Sequence, residues 1–394
     1  AGRMKSIVER ARELQAKTVA TRRDLHRHPE IAFEEHRTMD VVERRLREIG
    51  LEPRTGVGGT GVVAVMDTGR PGPTVLARAD MDALPVPEEK SVEYRSTTPE
   101  KMHACGHDGH TAVLLSVAEA LFGRRDELAG RVVFVFQPAE EIVRGARAML
   151  DDGALEGVKV DHVIGLHLSS NDPVGTVAVR AGPAMAATDS FRLVVKGKGG
   201  HAAYPHDCID PIVAASQVVT ALQTLVSRET EPADQSVVSI TSFHAGTAYN
   251  IIPEEVELKG TLRTFDAGTR ERLSARVLEV ADSVCRTYRA RLESEWFDGT
   301  PAVVNDEASV ERLKRVAAGI LGEENVVEQR PIMGGDDMAL WLQQAKGVYF
   351  FVGTRSGDDT AWPHHNPRFD IDERGLEVAV SVLASGVVDL LVAD

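Results

Sequence analysis

The sequence has no hydrophobic run that approaches the roughly 18–20 residues of a membrane-spanning helix, so we expect no membrane partner. The N-terminal region also lacks the apolar segment that directs secretion. Cysteine is scarce, with only Cys105, Cys208 and Cys285. An odd number of widely spaced cysteines does not form a disulfide framework. These absences predict a soluble protein of the reducing cytoplasm.

Basic residues are also fewer than acidic residues. Lysine and arginine number 45 against 60 aspartates and glutamates, which gives a formal net charge of −15 at pH 7. No basic stripe offsets this excess locally, so we expect no nucleic-acid partner. Hydrophobic residues make up 43% of the 394-residue chain, which is enough for two or three domains with separate cores.

Short apolar runs alternate with segments of helical periodicity in the first half of the chain. The predicted strands cover residues 61–66, 74–79, 132–136 and 162–168. The predicted helices cover two segments within residues 6–49, then residues 111–122 and 145–150. Strands that alternate with helices indicate an α/β fold whose functional residues lie at the strand ends.

The pattern changes near residue 186 and returns near residue 299. Between these points we predict strands at residues 190–196, 236–245, 255–265 and 290–296, and helices at 211–225 and 269–288. Afterwards we predict helices at 309–321 and 373–391 and a strand at 348–352. The chain is therefore predicted to form one α/β domain from residues 1–185 and 299–394, divided by an inserted α+β domain at residues 186–298.

The densest chemical signal is the sequence MHACGHDGH at residues 102–110, just before a predicted apolar helix. Cys105 and His107 lie on either side of Gly106, which lets the backbone turn so that both side chains converge. Thiolate and imidazole are good ligands for Zn²⁺ and related divalent ions. A helix-capping loop with incidental histidines is the alternative interpretation.

Other polar side chains also follow apolar strands. Of the adjacent Glu140 and Glu141, one could bind a metal while the other handles a proton, although an acidic helix N-terminus is the alternative. His167 ends an apolar run, and His365 lies in a loop between prolines. Asp82 could orient a ligating histidine. Each signal is equivocal alone, but together they favour a shared metal site.

Residues 102–110 and the sequence QPAEE at residues 137–141 resemble the hallmark motifs of M20 metallopeptidases. Within that family the resemblance is to the branch of aminoacylases, hippurate hydrolases and indoleacetyl-amino-acid hydrolases, and it extends from residues 25–30 to residues 365–369. It implies a zinc-peptidase-like catalytic domain, a three-layer α/β/α fold with a mixed sheet. It also implies that the inserted α+β domain is ferredoxin-like and serves as a lid and dimerisation domain.

The resemblance further implies a centre of two divalent ions, Zn²⁺ or alternatively Mn²⁺, Co²⁺ or Ni²⁺. Its implied ligands are Cys105, in the bridging place, with His107, Glu141, His167 and His365. Glu140 would be the general base, and Asp82 would orient a ligand. In the wider family the position of Asp80 is a metal-binding histidine and that of Cys105 a bridging aspartate, so this branch differs at both.

The inserted domain carries three further residues that the resemblance singles out. His201 resembles a histidine that polarises the scissile carbonyl and, in dimeric relatives, reaches the partner subunit. Asn250 and Arg263 resemble residues that hold the substrate carboxylate, which a guanidinium can bind bidentately. Without the resemblance, His201 would be interpreted as a turn residue and Arg263 as a solvated strand charge.

The implied activity is metal-dependent hydrolysis of N-acyl-L-amino acids, such as N-acetyl or N-benzoyl derivatives, to a carboxylic acid and a free amino acid, by a homodimer. Three alternatives stay open: a metallo-carboxypeptidase or dipeptidase, a non-catalytic metal-binding protein, and a hydrolase with Cys105 as nucleophile. Asp336 and Asp337 stand where the family often has Glu-Asp-Phe, which leaves substrate fit near that loop open.

Overall fold

The computed structural model describes residues 2–392, with side chains from residue 6 onward. Its α-helices are α1 (Gly2–Arg27), α2 (His36–Ile49), α3 (His107–Phe122), α4 (Gly145–Asp151), α5 (Pro211–Ser227), α6 (Ala267–Thr287), α7 (Glu307–Leu321), α8 (Met338–Leu342) and α9 (Arg374–Leu390). Its strands are β1 (Arg54–Val57), β2 (Gly61–Asp67), β3 (Thr74–Asp80), β4 (Arg131–Gln137), β5 (His162–Pro173), β6 (Val177–Val179), β7 (Gly182–Met185), β8 (Ala187–Lys196), β9 (Gly200–His201), β10 (Ser236–His244), β11 (Ile251–Ile252), β12 (Glu255–Thr264), β13 (Arg291–Asp298), β14 (Val303–Asn305), β15 (Val326–Glu328) and β16 (Lys346–Arg355). Among these residues, no helix has both the length and the apolar character needed to cross a membrane.

The chain forms two compact units. The first contains the chain up to Gly182, residues Val304–Arg330 and the chain from Asp336 onward. The second contains Pro183–Val303 and Pro331–Gly335.

The first unit is built on a mixed eight-stranded sheet with the strand order β1-β2-β4-β3-β5-β16-β6-β15. Strand β3 is parallel to β4 and β5, and β5 is parallel to β16, whereas β2 is antiparallel to β1 and β4. The expected α/β fold with a mixed sheet is confirmed. The short strands β1, β6 and β15 were not predicted, because three or four residues carry too little periodicity to identify a strand.

Helix α3 begins four residues earlier than the apolar periodicity predicts. Gly106 has a positive φ of 87°, and the helix starts at the next residue, His107. The predicted start of this helix at residue 111 was too late because the first turn, with the sequence HDGH, is polar. Those polar side chains are buried, so His107 and His110 point into the interior of the first unit.

The parallel strands end at one edge of the sheet, as expected for an α/β fold. Strand β3 is buried along its whole length and ends at Asp80, and β4 ends at Gln137. Strand β5 continues through His167 in the same direction. This edge therefore holds the segments that carry Asp82, Glu140 and Glu141.

The second unit has the order β8-α5-β10-β12-α6-β13, with an antiparallel sheet arranged β10-β12-β8-β13. This βαββαβ connection is the ferredoxin-like arrangement expected for the insertion. Asp210 and Asp266 cap helices α5 and α6 by accepting hydrogen bonds from the amides of Ile212 and Thr269. The apolar faces of both helices share a buried cluster with the sheet.

Candidate metal centre

Five side chains predicted as metal ligands converge in the first unit. Ligand atoms of Cys105, His107 and His167 all lie within 4.8 Å of one another. The same limit holds for Cys105, Glu141 and His365, and for His107, Glu140 and Glu141. Because these groups share members, they form one cluster, although its residues extend over much of the sequence.

Each side chain reaches the cluster from a different element. Cys105 precedes the left-handed Gly106, and His107 begins α3. Glu141 follows the end of β4, and His167 lies within β5. His365 has a positive φ of 73°, and its amide donates to the carbonyl oxygen of Ala104 at 2.7 Å. This backbone hydrogen bond holds the loop that carries His365 against the segment that carries Cys105.

Hydrogen-bond partners fix the ring orientation of two histidines. Nδ1 of His167 lies 2.7 Å from the carbonyl oxygen of Leu168, which can only accept, so this nitrogen carries the proton. Its Nε2 is then unprotonated, with a lone pair, and lies 3.7 Å from Sγ of Cys105. Nδ1 of His107 similarly lies 3.2 Å from a carboxylate oxygen of Asp82. Both Nε2 atoms are thus available to a metal.

Asp82 connects three groups of the cluster. Its Oδ1 accepts from Nδ1 of His107 and, at 3.0 Å, from the amide of Glu140. Its Oδ2 accepts from the amide of Glu141 at 2.9 Å. One carboxylate therefore orients a histidine ring and the backbone that carries both glutamates.

The donor set suits divalent ions. Nε2 of His107 and Oε1 of Glu141 are buried, lie 3.6 Å apart and have no hydrogen-bond partner among the described residues. Buried polar atoms without partners are costly, and a cation held between them would supply the missing interaction. Thiolate, imidazole and carboxylate together suit Zn²⁺ and neighbouring transition metals.

Burial and charge perturb the acid–base groups of the cluster. Burial, followed by the negative charges of Asp336 and Glu141, raises the pKa of the Glu140 carboxyl well above its usual range. Burial likewise raises the pKa of the Cys105 thiol and lowers that of His167. Burial opposes protonation of His107 too, but the carboxylates around it raise its pKa. An excess of negative charge is thus concentrated where positive ions would bind.

No sequence motif indicates the buried arginine that lies next to this cluster. Arg78 is 2% exposed, and its guanidinium contacts carboxylate oxygens of Asp80 at 3.3 Å, Asp336 at 3.2 Å and Asp337 at 3.1 Å. Asp336 and Asp337, whose role in substrate fit was left open, therefore both form ion pairs with the buried guanidinium of Arg78. Asp80, Glu140 and Asp336 also have carboxylate oxygens within 4.8 Å of one another.

Glu35 is a second residue that the motifs did not reveal. It is fully buried, and its Oε1 accepts from the amides of Phe33 at 2.8 Å and Ala139 at 3.0 Å. The hydroxyl of Thr60 donates to its Oε2. Ala139 has a positive φ of 51°, so Glu35 holds a strained turn directly before Glu140. No local pattern links positions 35 and 139.

The three substrate residues predicted in the insertion belong to the second unit. His201 is exposed on β9, and its Nδ1 accepts from the amide of Ala203 at 3.1 Å. Asn250 is also exposed, beside β11, and its carbonyl accepts from the amide of Ala202 at 3.0 Å. Arg263 is partly buried on β12. The roles of these three residues toward a substrate stay predictions.

Comparison with known proteins places this geometry in a family. The sequence pattern of peptidase family M20/M25/M40 matches residues 76–388. The chain is similar to an N-acetylcysteine deacetylase of Bacillus subtilis, with 42% identity over 94% of this chain and 96% of the relative. It is also similar to thermostable carboxypeptidase 2 of Saccharolobus solfataricus, with 39% identity over 93% of each chain.

A solved structure shares both the fold and the sequence. The Bacillus subtilis YXEP protein, described as a dinuclear metal binding peptidase from the M20 family, aligns with a TM-score of 0.84 and 37% identity. The alignment covers 96% of this chain and 99% of that protein. The converging ligands, the family pattern and these similarities lead to one conclusion: the chain belongs to the M20/M25/M40 peptidase family.

Proposed function

We propose that the protein is a metal-dependent amidohydrolase that cleaves N-acyl-L-amino acids to a carboxylic acid and a free amino acid. The observation that carries the proposal is the convergence of Cys105, His107, Glu141, His167 and His365 beside the buried carboxyl of Glu140. The similarity to an N-acetylcysteine deacetylase supports the substrate class.

We assign the proton transfer to Glu140. When bound, two divalent ions in such a centre lower the pKa of water from about 15.7 toward about 7 and polarise a carbonyl oxygen. The Glu140 carboxylate accepts the proton of the attacking water and then delivers it to the leaving amine. The backbone amides of Glu140 and of Glu141, which we assign as a ligand, both donate hydrogen bonds to Asp82, and these bonds orient the segment that carries the two glutamates.

We assign substrate recognition to the second unit. His201 would donate to the oxyanion that develops on the carbonyl, and Asn250 and Arg263 would hold the free carboxylate of the substrate. The exposure of His201 and Asn250 is compatible with contact to a substrate. Burial lowers the pKa of Arg263, and its guanidinium has no carboxylate hydrogen-bonded to it among the described residues. Such a guanidinium is suited to bind a carboxylate supplied by a substrate.

The central experiment is metal removal and replacement. Protein stripped with a chelator should lose hydrolysis of N-acetyl, N-benzoyl and N-indoleacetyl amino acids, and should regain it when refilled separately with Zn²⁺, Mn²⁺, Co²⁺ or Ni²⁺. Zinc is our proposed native ion because thiolate and imidazole ligands favour it. Full activity in the stripped protein would instead favour a Cys105 nucleophile, and inactivity with every ion and substrate would contradict the proposal.

A metallo-carboxypeptidase is the second candidate, favoured by the similarity to thermostable carboxypeptidase 2. Both activities would use the same ions and the same Glu140, so only the substrate distinguishes them. We expect kcat/KM for N-acyl amino acids to exceed that for dipeptides and blocked peptides. The reverse order would establish the peptidase instead.

We also propose that residues 186–298 form a lid through which two subunits associate, in a cytoplasmic enzyme. The compact second unit, which includes Pro183–Val303, supports a separately folded insertion. Analytical ultracentrifugation over a range of concentrations should give the mass of a homodimer. A monomer at every concentration would contradict the role in dimerisation and leave the hydrolase proposal in place.

A further inference from the structure

Strand β5 is longer than its neighbour β3, and this leaves part of one edge without a strand partner. The parallel pairing of β3 with β5 runs from His162 to Gly165, whereas β5 pairs with β16 on its other side through Pro173. Beyond Gly165, the amides that face the β3 side need other acceptors, because buried N–H groups are nearly always paired.

A histidine of α3 supplies one of those acceptors. The amide of Leu168 donates to Nε2 of His110 at 2.9 Å. Since a backbone N–H can only donate, this Nε2 is unprotonated and accepts through its lone pair, and the ring proton is on Nδ1. Nδ1 lies 2.6 Å from Oδ1 of Asp80, the last residue of β3. The imidazole thus fills the space between the end of β3 and the continuation of β5.

The peptide that His110 holds belongs to the residue next to a ligand. Leu168 follows His167, and the Leu168 carbonyl accepts from Nδ1 of His167 at 2.7 Å. Leu168 therefore binds His110 through its amide and His167 through its carbonyl. The two rings are in contact, with centroids 4.5 Å apart.

The same contacts leave His110 with no ring nitrogen available to bind a metal ion. Ligand atoms of Asp80, His107 and His110 lie within 4.8 Å of one another, so proximity alone would make His110 a sixth ligand. Both of its ring nitrogens are already engaged, by Asp80 and by Leu168. His107, in contrast, has a buried Nε2 without a hydrogen-bond partner among the described residues.

We propose that His110 is a positioning residue, not a metal ligand: held by Asp80, it fixes the Leu168 peptide and through it the ring of the ligand His167. The inference deepens the proposed function and rests on it. Loss of this support should weaken metal binding by about 10–100-fold, the usual effect of removing a group that orients a ligand.

Two substitutions separate the two contacts of His110. In His110→Gln, the side-chain oxygen can reach the place of Nε2 and accept from the Leu168 amide. In His110→Asn, the shorter amide can donate to Asp80 but does not reach Leu168. His103→Asn is the matched control, because His103 is equally buried in the same segment and neither of its ring nitrogens has a hydrogen-bond partner among the described residues.

Metal content and affinity are measured first, by elemental analysis and by competition with a chelator, without any substrate. We expect two ions per chain in all variants, near-wild-type affinity in His110→Gln and His103→Asn, and affinity reduced about 10–100-fold in His110→Asn. At saturating metal, kcat of His110→Asn should fall while KM stays near the wild-type value. Equal affinity losses in His110→Gln and His110→Asn, or one ion per chain in both, would overturn the proposal.

A spectroscopic measurement on the wild type decides the question if the variants do not fold. After loading with ¹¹³Cd²⁺, the Nε2 resonance of His110 should show no coupling to cadmium, whereas that of His167 should show it. Coupling at His110 would establish ligation and overturn the positioning role. Because neither the metal-affinity measurement nor the cadmium spectrum uses substrate, a protein that binds two ions but hydrolyses nothing would contradict only the proposed function.

Discussion

The histidines of the two units differ in how they are held. In the first unit, His107 and His167 are 0% and 7% exposed, and each has one ring nitrogen engaged by a carboxylate or a carbonyl. In the second unit, His201 is exposed, and its ring accepts a hydrogen bond from the amide of Ala203. The first unit therefore holds the rings of His107 and His167 preorganised in its interior, whereas the proposed carbonyl-polarising group is presented to solvent.

The largest effect should come from the first unit. Glu140→Gln removes the proton acceptor but keeps the shape of the side chain, so kcat should fall by about 10²–10⁴-fold, the usual contribution of a general base. Metal content should stay at the wild-type value. Steady-state kinetics and elemental analysis test this, with the exposed Glu156→Gln as control. Undiminished turnover would refute the assignment of Glu140.

His201→Ala tests the other side of the comparison. Loss of one oxyanion donor typically lowers kcat by about 10²–10³-fold, and because His201 is exposed, thermal stability and metal content should not change. His206→Ala, at another exposed histidine of the same unit, should retain full activity. If both variants were equally active, the proposed division of roles between the units would fail.

Glu35 should make the stability of the preorganised unit depend on pH. Burial raises its pKa from 4.5 to about 7, so the folded state binds a proton more tightly than the unfolded state does. Its stabilising contribution is complete below pH 4.5 and is lost as the pH rises through 7. Relative to Glu35→Gln, the wild type should lose about 3 kcal/mol of unfolding free energy over this range.

Denaturant unfolding at a series of pH values measures the difference between the wild type and Glu35→Gln. The neighbouring Glu34 is exposed, so Glu34→Gln should follow the wild type at every pH. A constant difference between the wild type and Glu35→Gln would show that Glu35 ionises normally in the folded protein.

Asp82→Asn should have the smallest effect of the four. Asp82 now accepts hydrogen bonds from His107, Glu140 and Glu141. The NH₂ group of an asparagine cannot accept, so at least one of these bonds would be lost. We expect metal affinity to decrease about 10–100-fold with activity recoverable at high metal concentration. Chelator competition measures this, with the exposed Asp126→Asn as control. Unchanged affinity would show that the ligands are positioned without Asp82.

The sequence predicted the long elements and the ligand motifs better than the contacts between them. Strand β4 is a continuous apolar run from Val132 to Phe136, and the two helices of the second unit have clear apolar faces. Cys105 and His107 stand out because two potential metal ligands lie on either side of a glycine that lets the backbone turn. Such signals are local and can be read directly from the order of residues.

The missed residues depend on distant partners instead. Arg78 appears in the sequence as a charge inside a strand, and only the folded chain brings Asp336 and Asp337, more than 250 residues away, to its guanidinium. His110 resembles His107 in its surroundings along the chain. What distinguishes them is the Leu168 amide, which becomes available because β5 is longer than β3. Relative strand length is set by tertiary packing.

The division of the first unit into segments has a consequence for biosynthesis. His365 lies 260 residues after Cys105, and the segment between them includes the whole of β8 to β13. At roughly 5–20 residues per second, the ribosome needs about 13–50 s to add His365 after Cys105. During that interval the nascent chain has four of the five proposed ligands at most, so full ion binding awaits the completion of the C-terminal segment.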